Sequence, residues 1–189
     1  MNRDPTIFLS GRRVALRPLR EEDCTGPYLS WLNDAEVCAG NSHHVFPFTP
    51  AEAGEYLARA RAARDELILA ITLKKDGRHI GNIALQRINP VCLSAELAII
   101  IGEKASWGKG YAGEACELLC SHGFSALNLH RIGCGTYENN LPMQRLARSL
   151  GMQEEGRRRE AAWKDGRYLD ILEFGMTREE HEKARKKSR

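Results

Sequence analysis

Six consecutive residues near the middle of the chain have the composition of a phosphate-binding turn. They follow the apolar run 97–101 and precede a segment, from about position 110, whose apolar residues recur at helical spacing. Two glycines let the backbone approach a ligand closely, and the free N–H groups and positive dipole end of a helix favour a phosphate or pyrophosphate. The candidate residues of this turn are Trp107, Gly108, Lys109, Gly110, Tyr111 and Ala112.

The position of Lys109 separates this turn from the best-known phosphate loop. A Walker loop places a Ser or Thr directly after its Lys, whereas Lys109 is followed by Gly110. Because short glycine motifs are weak evidence, a turn that merely joins a strand to a helix remains the alternative.

The cysteines offer a second kind of chemistry, metal binding. Cys116 and Cys120 would share a helix face, and that spacing suits two metal ligands. Both lie in the apolar stripe of the predicted helix, where a free Cys behaves as a small buried hydrophobe. We therefore predict no metal site.

Sequence periodicity predicts the elements that position the turn. Strands are expected at 13–17, 67–73, 79–87, 94–101, 131–137, 153–163 and 168–176, and helices at 21–34, 50–64, 110–127 and 141–150. Thr49 and Glu52 would form a capping box for the second helix, and Asn140 would cap the fourth. The turn then lies between the fourth strand and the third helix.

Composition indicates one domain with a basic tail. The chain has 189 residues, of which 42% are hydrophobic, so a single domain over 1–177 is expected, followed by a tail over 178–189. The tail carries six basic and three acidic residues, and this difference equals the net charge of +3, which argues against a large nucleic-acid surface on the domain. The segment 1–10 lacks the apolar core of a signal peptide, and no run approaches the ~18 apolar residues of a spanning helix, so a cytoplasmic protein without a membrane partner is expected.

The order of elements and four sequence blocks resemble the GNAT superfamily of acetyl-CoA-dependent N-acetyltransferases. The turn matches the family pattern Gln/Arg-x-x-Gly-x-Gly/Ala, except that Trp107 replaces the Gln or Arg. The blocks 107–115, 127–132, 138–140 and 150–156 look like the Rim-type ribosomal-protein N-terminal acetyltransferases and the related spermidine acetyltransferases. The resemblance covers about 13–176 and implies an α+β GNAT domain, with a mostly antiparallel, twisted mixed sheet of about seven strands flanked by about four helices.

The resemblance also implies where acetyl-CoA binds. Backbone N–H groups of the turn would hold the pyrophosphate, and the pantetheine arm would lie where the fourth and fifth strands splay apart. For Asn140, the role of a helix N-cap is an equal alternative. The residues expected to contact the cofactor are Ile99, Ile100, Trp107, Gly108, Lys109, Gly110, Tyr111, Ala112 and Asn140.

Glu96 is the candidate catalytic residue, as the general base that deprotonates the acceptor amine. It interrupts an apolar strand, aligns with a Glu of the Rim-type branch, and would have a raised pKa if partly buried. The alternative is a carboxylate paired with a basic neighbour. The family's general acid is not matched, because Ala147 and Met143 stand where a Tyr or a Ser is common, so Tyr137 or water is the expected proton donor.

The Rim-like blocks favour a protein N-terminal amino group as the acceptor. A small amine, such as a nucleotide-linked amino sugar or a polyamine, is the alternative, and the missing Tyr and Ser leave open a non-catalytic coenzyme A-binding regulatory module. The loop 41–48 and the terminal hairpin would contact the acceptor. The basic tail is a candidate for weak contact with RNA or the ribosome, and a homodimer is a further open expectation.

Overall fold

The computed structural model describes residues 6–187, with the side chain of Lys187 excepted. Residues 1–5 of the N-terminal segment and residues 188–189 of the predicted tail lie outside this part. The strands are β1 (Leu9–Ser10), β2 (Val14–Pro18), β3 (Leu67–Leu73), β4 (His79–Asn89), β5 (Ser94–Ile101), β6 (Arg131–Tyr137), β7 (Gln153–Lys164) and β8 (Arg167–Thr177). The helices are α1 (Pro27–Leu32), α2 (Pro50–Ala62), α3 (Tyr111–Ser125), α4 (Leu141–Ser149) and α5 (Arg178–Lys187), with short 3-10 helices at Glu21–Thr25 and Lys104–Ser106.

All eight strands form one sheet in the order β1-β2-β3-β4-β5-β6-β8-β7. Every neighbouring pair is antiparallel except β5 and β6, which are joined through α3 and run parallel. The predicted α+β class is confirmed. The strand that periodicity missed is β1, whose two residues are too few to show an alternating pattern. Within the described residues, no helix has both the length and the apolar character needed to cross a bilayer.

The central strands are buried on both faces of the sheet. In β3, Leu69 and Ile71 pack into the main core beneath α3 and α4, whereas the alternate residues Ile68 and Ala70 pack against α2. A third apolar cluster, around Trp31 of α1, reaches Ile100 of β5. The helices α1 and α2 therefore cover one face of the sheet, and α3 and α4 cover the other.

The first predicted helix is split in two, which corrects the expectation of one helix over 21–34. Gly26 is extended, with φ −94° and ψ −157°, and Pro27 has no N–H with which to continue a helix, so α1 begins afresh at Pro27. In contrast, the capping box of α2 forms as predicted between Thr49 and Glu52.

Most of the predicted tail forms the fifth helix, α5, which packs on α3. His181 is only 2% exposed, and its ring lies 4.9 Å from that of Phe124. The His181 Nε2 atom is 3.2 Å from Ser121 Oγ, and Arg185 Nε is 3.0 Å from a carboxylate oxygen of Glu117. The periodicity of this charged segment did not predict its packing on α3, because His181 is its one fully buried side chain among the described residues.

The parallel strands β5 and β6 separate soon after they begin. Only Ser94, Ala95 and Glu96 of β5 have partners on β6, and the last pair is Glu96 with Gly133. Beyond that pair, β5 remains bonded to β4 and β6 to β8. The predicted splay between the fourth and fifth strands is thus present, between the strands numbered β5 and β6 here.

Candidate active site

The turn at residues 107–112, called the glycine turn below, lies at the end of this gap, between β5 and α3. Gly108 and Gly110 have φ values of 70° and 76°, in the left-handed region that glycine adopts without steric cost. Gly110 is the N-cap of α3 and has no side chain with which to cap the helix, so the N–H groups of the first turn remain available to a ligand.

The spacing of Gly108, Gly110 and Gly113 also equals that of a dinucleotide-binding fingerprint, so spacing alone does not distinguish the two motifs. The surrounding sheet distinguishes them. A dinucleotide fold is built on parallel strands, whereas β5 is antiparallel to β4 and pairs with β6 over three residues only.

Arg13, which precedes β2, holds the glycine turn from the side. Its guanidinium donates hydrogen bonds to the carbonyls of Lys109 at 2.9 Å and Gly110 at 3.2 Å, and its Nε donates to Glu114 of α3 at 3.0 Å. Burial alone would raise the pKa of Glu114, but hydrogen bonds from Arg13 and the Val14 backbone lower that pKa overall. This clamp fixes the turn's carbonyls, and the sequence reasoning missed it.

Trp107, the residue that departs from the family pattern, anchors the end of β5. Its indole Nε1 donates a 2.7 Å hydrogen bond to the carbonyl of Ile101, while the side chain as a whole is 40% exposed. The side chains of Lys109 and Tyr111 lie at the same end of the sheet, and the Tyr111 ring packs 5.1 Å from the Arg13 guanidinium.

The walls of the gap hold the remaining predicted cofactor residues. Ile99 and Ile100 of β5 are both half-buried and belong to opposite faces of the sheet. Asn140 caps α4 by accepting a 3.2 Å hydrogen bond from the Met143 N–H, and its amide donates a 3.1 Å bond to the Gly40 carbonyl. The capping alternative for Asn140 is therefore present in the structure, and the same side chain anchors the start of the loop 41–48.

Glu96 lies at the point where the gap begins, on the rim of a cavity of about 300 Å³. Its side chain is 50% exposed and accepts a 2.8 Å hydrogen bond from Arg87. Arg87 has a φ of 51° at a bulge between β4 and β5. Glu96 is thus more exposed than expected, and the alternative of a carboxylate paired with a basic neighbour is what the structure contains.

Each of the other carboxylates lining this cavity also has an arginine partner. Glu155 pairs with Arg131, and Glu173 pairs with Arg158 at 2.5 Å. Gly133 of β6 also lines the cavity. Burial, followed by the nearby Glu173 and Glu96 carboxylates, raises the pKa of Cys134 to about 12, so this thiol stays protonated and is no nucleophile.

Met143 and Ala147, the positions where the resemblance led us to expect a Ser or a Tyr, have no side chain that can donate a proton. Met143 is half-buried and Ala147 is fully buried in the main core. Tyr137 lies at the end of β6 and is 8% exposed. Burial and the nearby Asp165 raise the pKa of Tyr137, which keeps its hydroxyl protonated near neutral pH.

The loop 41–48 and the β7–β8 hairpin meet beside the gap. Lys164 of the hairpin donates a 3.2 Å hydrogen bond to the His43 carbonyl of the loop. At the hairpin tip, Trp163 and Tyr168 form an exposed edge-to-face pair with centroids 4.8 Å apart. Phe46 of the loop is 82% exposed, so both segments present apolar surface.

Comparison with protein families identifies the class of protein. The family described as acetyltransferase (GNAT) domain matches residues 13–153, which is more than half of the chain. The chain therefore belongs to this family, and it is an N-acetyltransferase that uses acetyl-CoA as its donor.

Bacterial proteins are similar to it over most of their length. The protein named probable N-acetyltransferase YjcK of Bacillus subtilis (strain 168) is 32% identical over 176 residues, which cover 87% of this chain and 97% of that protein. The spermidine N(1)-acetyltransferase of Escherichia coli (strain K12) is 28% identical over 165 residues, which cover 86% and 85%. A shorter match, the uncharacterized N-acetyltransferase p20 of Bacillus licheniformis, is 33% identical over 112 residues, which cover 59% of this chain and 62% of that protein. The relatives carry the name N-acetyltransferase throughout, so the non-catalytic alternative has no support.

Two solved structures share the fold. A spermidine N-acetyltransferase from Vibrio cholerae in complex with CoA and spermine superposes with a TM-score of 0.81 at 24% identity, covering 89% of this chain and 98% of that chain. RimJ of Mycobacterium smegmatis in complex with CoA-disulfide superposes with a TM-score of 0.77 at 24% identity, covering 88% and 83%. At this identity the two structures support the fold and leave the acceptor open.

Proposed function

We propose that the protein acetylates the α-amino group at the N-terminus of a peptide or protein. The observation that carries this choice of acceptor is the charge pattern in the cavity beside Glu96. Its three carboxylates, Glu96, Glu155 and Glu173, each already have an arginine partner. The cavity therefore offers one ammonium group a polar, mixed-charge environment rather than a strongly acidic one.

The glycine turn and the β5–β6 gap fit the donor. Gly108 and Gly110 bring backbone N–H groups to the start of α3, where the helix dipole favours the pyrophosphate of coenzyme A. The side chains of Ile99 and Ile100 flank the gap for the pantetheine arm, and Asn140 lies at its far wall. Acetyl-CoA supplies an acetyl group activated as a thioester.

Glu96 and Tyr137 are the proposed acceptor and donor of protons in the reaction. We assign to Glu96, at the point of the splay, the proton that the acceptor amine must lose before it attacks; its carboxylate then exchanges the ion pair with Arg87 for the acceptor ammonium. An α-amino group has an ordinary pKa of ~7.7–8.0 and is partly neutral near pH 7.5, whereas a lysine-type amine at ~10.4 demands far more of a base. Tyr137, kept protonated by burial, donates a proton to the departing thiolate from the end of β6.

The pairing of the carboxylates argues against a polyamine as the preferred acceptor. A polyamine carries several positive charges, and each would have to displace an arginine such as Arg87 or Arg158 from its carboxylate. A peptide N-terminus carries one ammonium, followed by backbone and side chains. The exposed Phe46 and the Trp163–Tyr168 pair offer apolar contacts to those side chains.

The test is the specificity constant kcat/KM for acceptors of different classes. We expect peptides with a free α-amino group to exceed both spermidine and the same peptides carrying a blocked N-terminus. Glu96→Gln should lower kcat for the peptide, whereas Glu55→Gln, a change in an exposed carboxylate within α2, should not. Turnover of spermidine above all peptides would overturn the proposed acceptor.

A polyamine remains the second candidate, because one of the relatives that spans most of the chain is a spermidine acetyltransferase. If this candidate is right, charge-neutralising changes in the cavity should raise KM for spermidine strongly. Nucleotide-linked amino sugars belong in the same panel. Turnover with an amino sugar alone would favour that class instead.

Contact of the C-terminal segment with RNA or the ribosome stays a proposal, as does a homodimer. Within the described part of the segment, Arg178 is bonded to the Leu129 carbonyl, and Arg185 is bonded to Glu117. These side chains serve the fold, which leaves fewer for RNA. Sedimentation with ribosomes of the natural protein and of a variant with Lys183→Gln and Lys186→Gln, which keeps the buried His181, together with light scattering for the oligomeric state, tests both proposals.

A further inference from the structure

A basic cavity adjoins the glycine turn on the side opposite the β5–β6 gap. It has a volume of about 340 Å³, within the range of small-molecule sites. The residues that line it come from the turn before β2, from the β3–β4 hairpin and from the start of α3; they are Arg12, Arg13, Leu73, Lys74, Lys75 and Tyr111.

Specific hydrogen bonds hold these three segments together. The backbone N–H of Lys74 donates to the Arg13 carbonyl at 2.9 Å, and its side-chain Nζ donates to the Gly11 carbonyl at 2.7 Å. Arg13 in turn donates to the carbonyls of Lys109 and Gly110 in the glycine turn. The cavity is therefore built into the same framework that shapes the turn.

The cavity has a surplus of positive charge. Arg13 is paired with Glu114, and Lys75 lies 3.8 Å from Asp76. Within residues 6–187, no ion pair compensates Arg12 or Lys74, nor Lys109 in the adjacent turn. Like charges gathered around one cavity repel each other, and a bound anion relieves that cost.

Coenzyme A carries one more anionic group than its pyrophosphate, the 3′-phosphate of its adenosine. The adenosine is joined to the pyrophosphate, and the basic cavity adjoins the glycine turn through Arg13 and Tyr111. We propose that the cavity formed around Arg12 and Lys74 binds the 3′-phosphate of coenzyme A. The inference rests on the proposed placement of the pyrophosphate on the glycine turn.

This assignment gives the cavity a role in donor selection. A thioester of pantetheine, or of coenzyme A lacking the 3′-phosphate, would still reach the gap but would leave the surplus of cations unmatched. The enzyme then gains affinity for complete coenzyme A from residues that never approach the reacting atoms.

The test compares binding of coenzyme A and 3′-dephospho-coenzyme A by isothermal titration calorimetry. Variants are Arg12→Gln, Lys74→Met and the double variant, with Lys186→Met on α5 as the matched control that removes an exposed charge elsewhere. We expect the natural protein to bind coenzyme A about tenfold more tightly than the dephospho form, a typical gain for charge-assisted phosphate contacts. The double variant should lose this preference while keeping its affinity for the dephospho form within about twofold.

Three results would overturn the inference, and they have different meanings. Equal binding of both ligands by the natural protein would remove the 3′-phosphate site and leave coenzyme A binding intact. If Arg12→Gln lowered the affinity for both ligands equally, with an unchanged midpoint of thermal unfolding, the cavity would act by general electrostatic attraction rather than as a phosphate site. Failure of the natural protein to bind either ligand would contradict the proposed donor site itself.

Discussion

Replacing Gly110 by alanine is a direct probe of the glycine turn. Gly110 has φ 76° and ψ 9°, and an L-residue held in this left-handed conformation costs about 1–2 kcal/mol. A Cβ atom there would also lie 3.2 Å from Nη2 of Arg13, the atom that bonds the Gly110 carbonyl. The turn must either keep its shape under strain or relax away from Arg13.

Relaxation of the turn should weaken coenzyme A binding, whereas a turn that keeps its shape under strain should lower the free energy of unfolding by about 1–2 kcal/mol instead. If the turn relaxes, restoring the binding geometry costs the ligand about 1–2 kcal/mol, which corresponds to an affinity lower by about 5- to 30-fold. Gly108→Ala has the same backbone cost, since its φ is 70°, but nothing lies within 4 Å of the added Cβ. The loss should therefore be larger for Gly110→Ala than for Gly108→Ala.

Calorimetric titration with coenzyme A, accompanied by thermal unfolding, measures both effects. Gly54→Ala is the matched control, because Gly54 lies in α2 with nothing within 4 Å of an added Cβ. That change should raise the free energy of unfolding by about 0.5–1 kcal/mol and leave binding unchanged. If Gly110→Ala binds coenzyme A as the natural protein does and also unfolds with an unchanged free energy, the turn does not hold the pyrophosphate as described.

Three further changes test other parts of the structure. Glu96→Gln should lower kcat mainly at low pH, where deprotonating the acceptor amine is hardest, as a pH profile of peptide acetylation will show. Asp23→Asn should destabilise the fold by about 3–5 kcal/mol, because it leaves the buried Arg17 guanidinium unpaired; urea unfolding measures the loss. Burial lowers the pKa of His181, although Glu117 opposes this shift. Because the folded-state pKa is lowered, the free energy of unfolding should fall as the pH drops below ~6.5. In thermal unfolding, His181→Gln should make this pH dependence weaker.

Two control variants and one contradicting outcome accompany these three changes. Arg61→Gln removes an exposed partner of Glu21 and should cost under ~1 kcal/mol, so an equal cost for Asp23→Asn would contradict the account of that buried pair. His130→Gln, which removes an exposed imidazole, is the matched control for His181→Gln in the same unfolding measurement. An unaltered pH profile in Glu96→Gln would clear Glu96 of the role of base.

The Asp23 pair also sets how the fold responds to acid. Burial by itself would raise the pKa of Asp23, but hydrogen bonds from Arg17 and His79 lower it well below the ordinary range. Because the folded-state pKa is depressed, the contribution of this pair is fully present above ~3.9 and declines as the pH falls further.

Local signals predicted much of the fold. The strands β3, β5 and β6 have the bounds predicted from the sequence, 67–73, 94–101 and 131–137, and α2 follows the capping box at Thr49. These elements are determined by neighbouring residues, which a sequence pattern displays. The prediction of the first helix was wrong, because the acidic first turn favoured one long helix whereas Gly26 and Pro27 break the chain into two.

The site was less predictable, because its supports come from distant parts of the chain. Arg13 is 96 residues from Lys109, whose carbonyl it bonds, and nothing in either local sequence indicates the contact. The partner of Glu96 is Arg87, on the neighbouring strand at a bulge that alternation does not reveal. Likewise, His181 is buried among charged and exposed neighbours on α5, so the segment has the sequence character of a solvated tail.

Acetylation of a synthetic peptide that carries one free α-amino group and one lysine tests the central claim most directly. The peptide is incubated with acetyl-CoA and the protein, release of free thiol is followed, and the acetylated position is located by fragmentation mass spectrometry. We predict thiol release with the acetyl group on the α-amino nitrogen, since that amine needs the least help from Glu96. Acetylation confined to the lysine, or thiol release with spermidine but not with the peptide, would contradict the account.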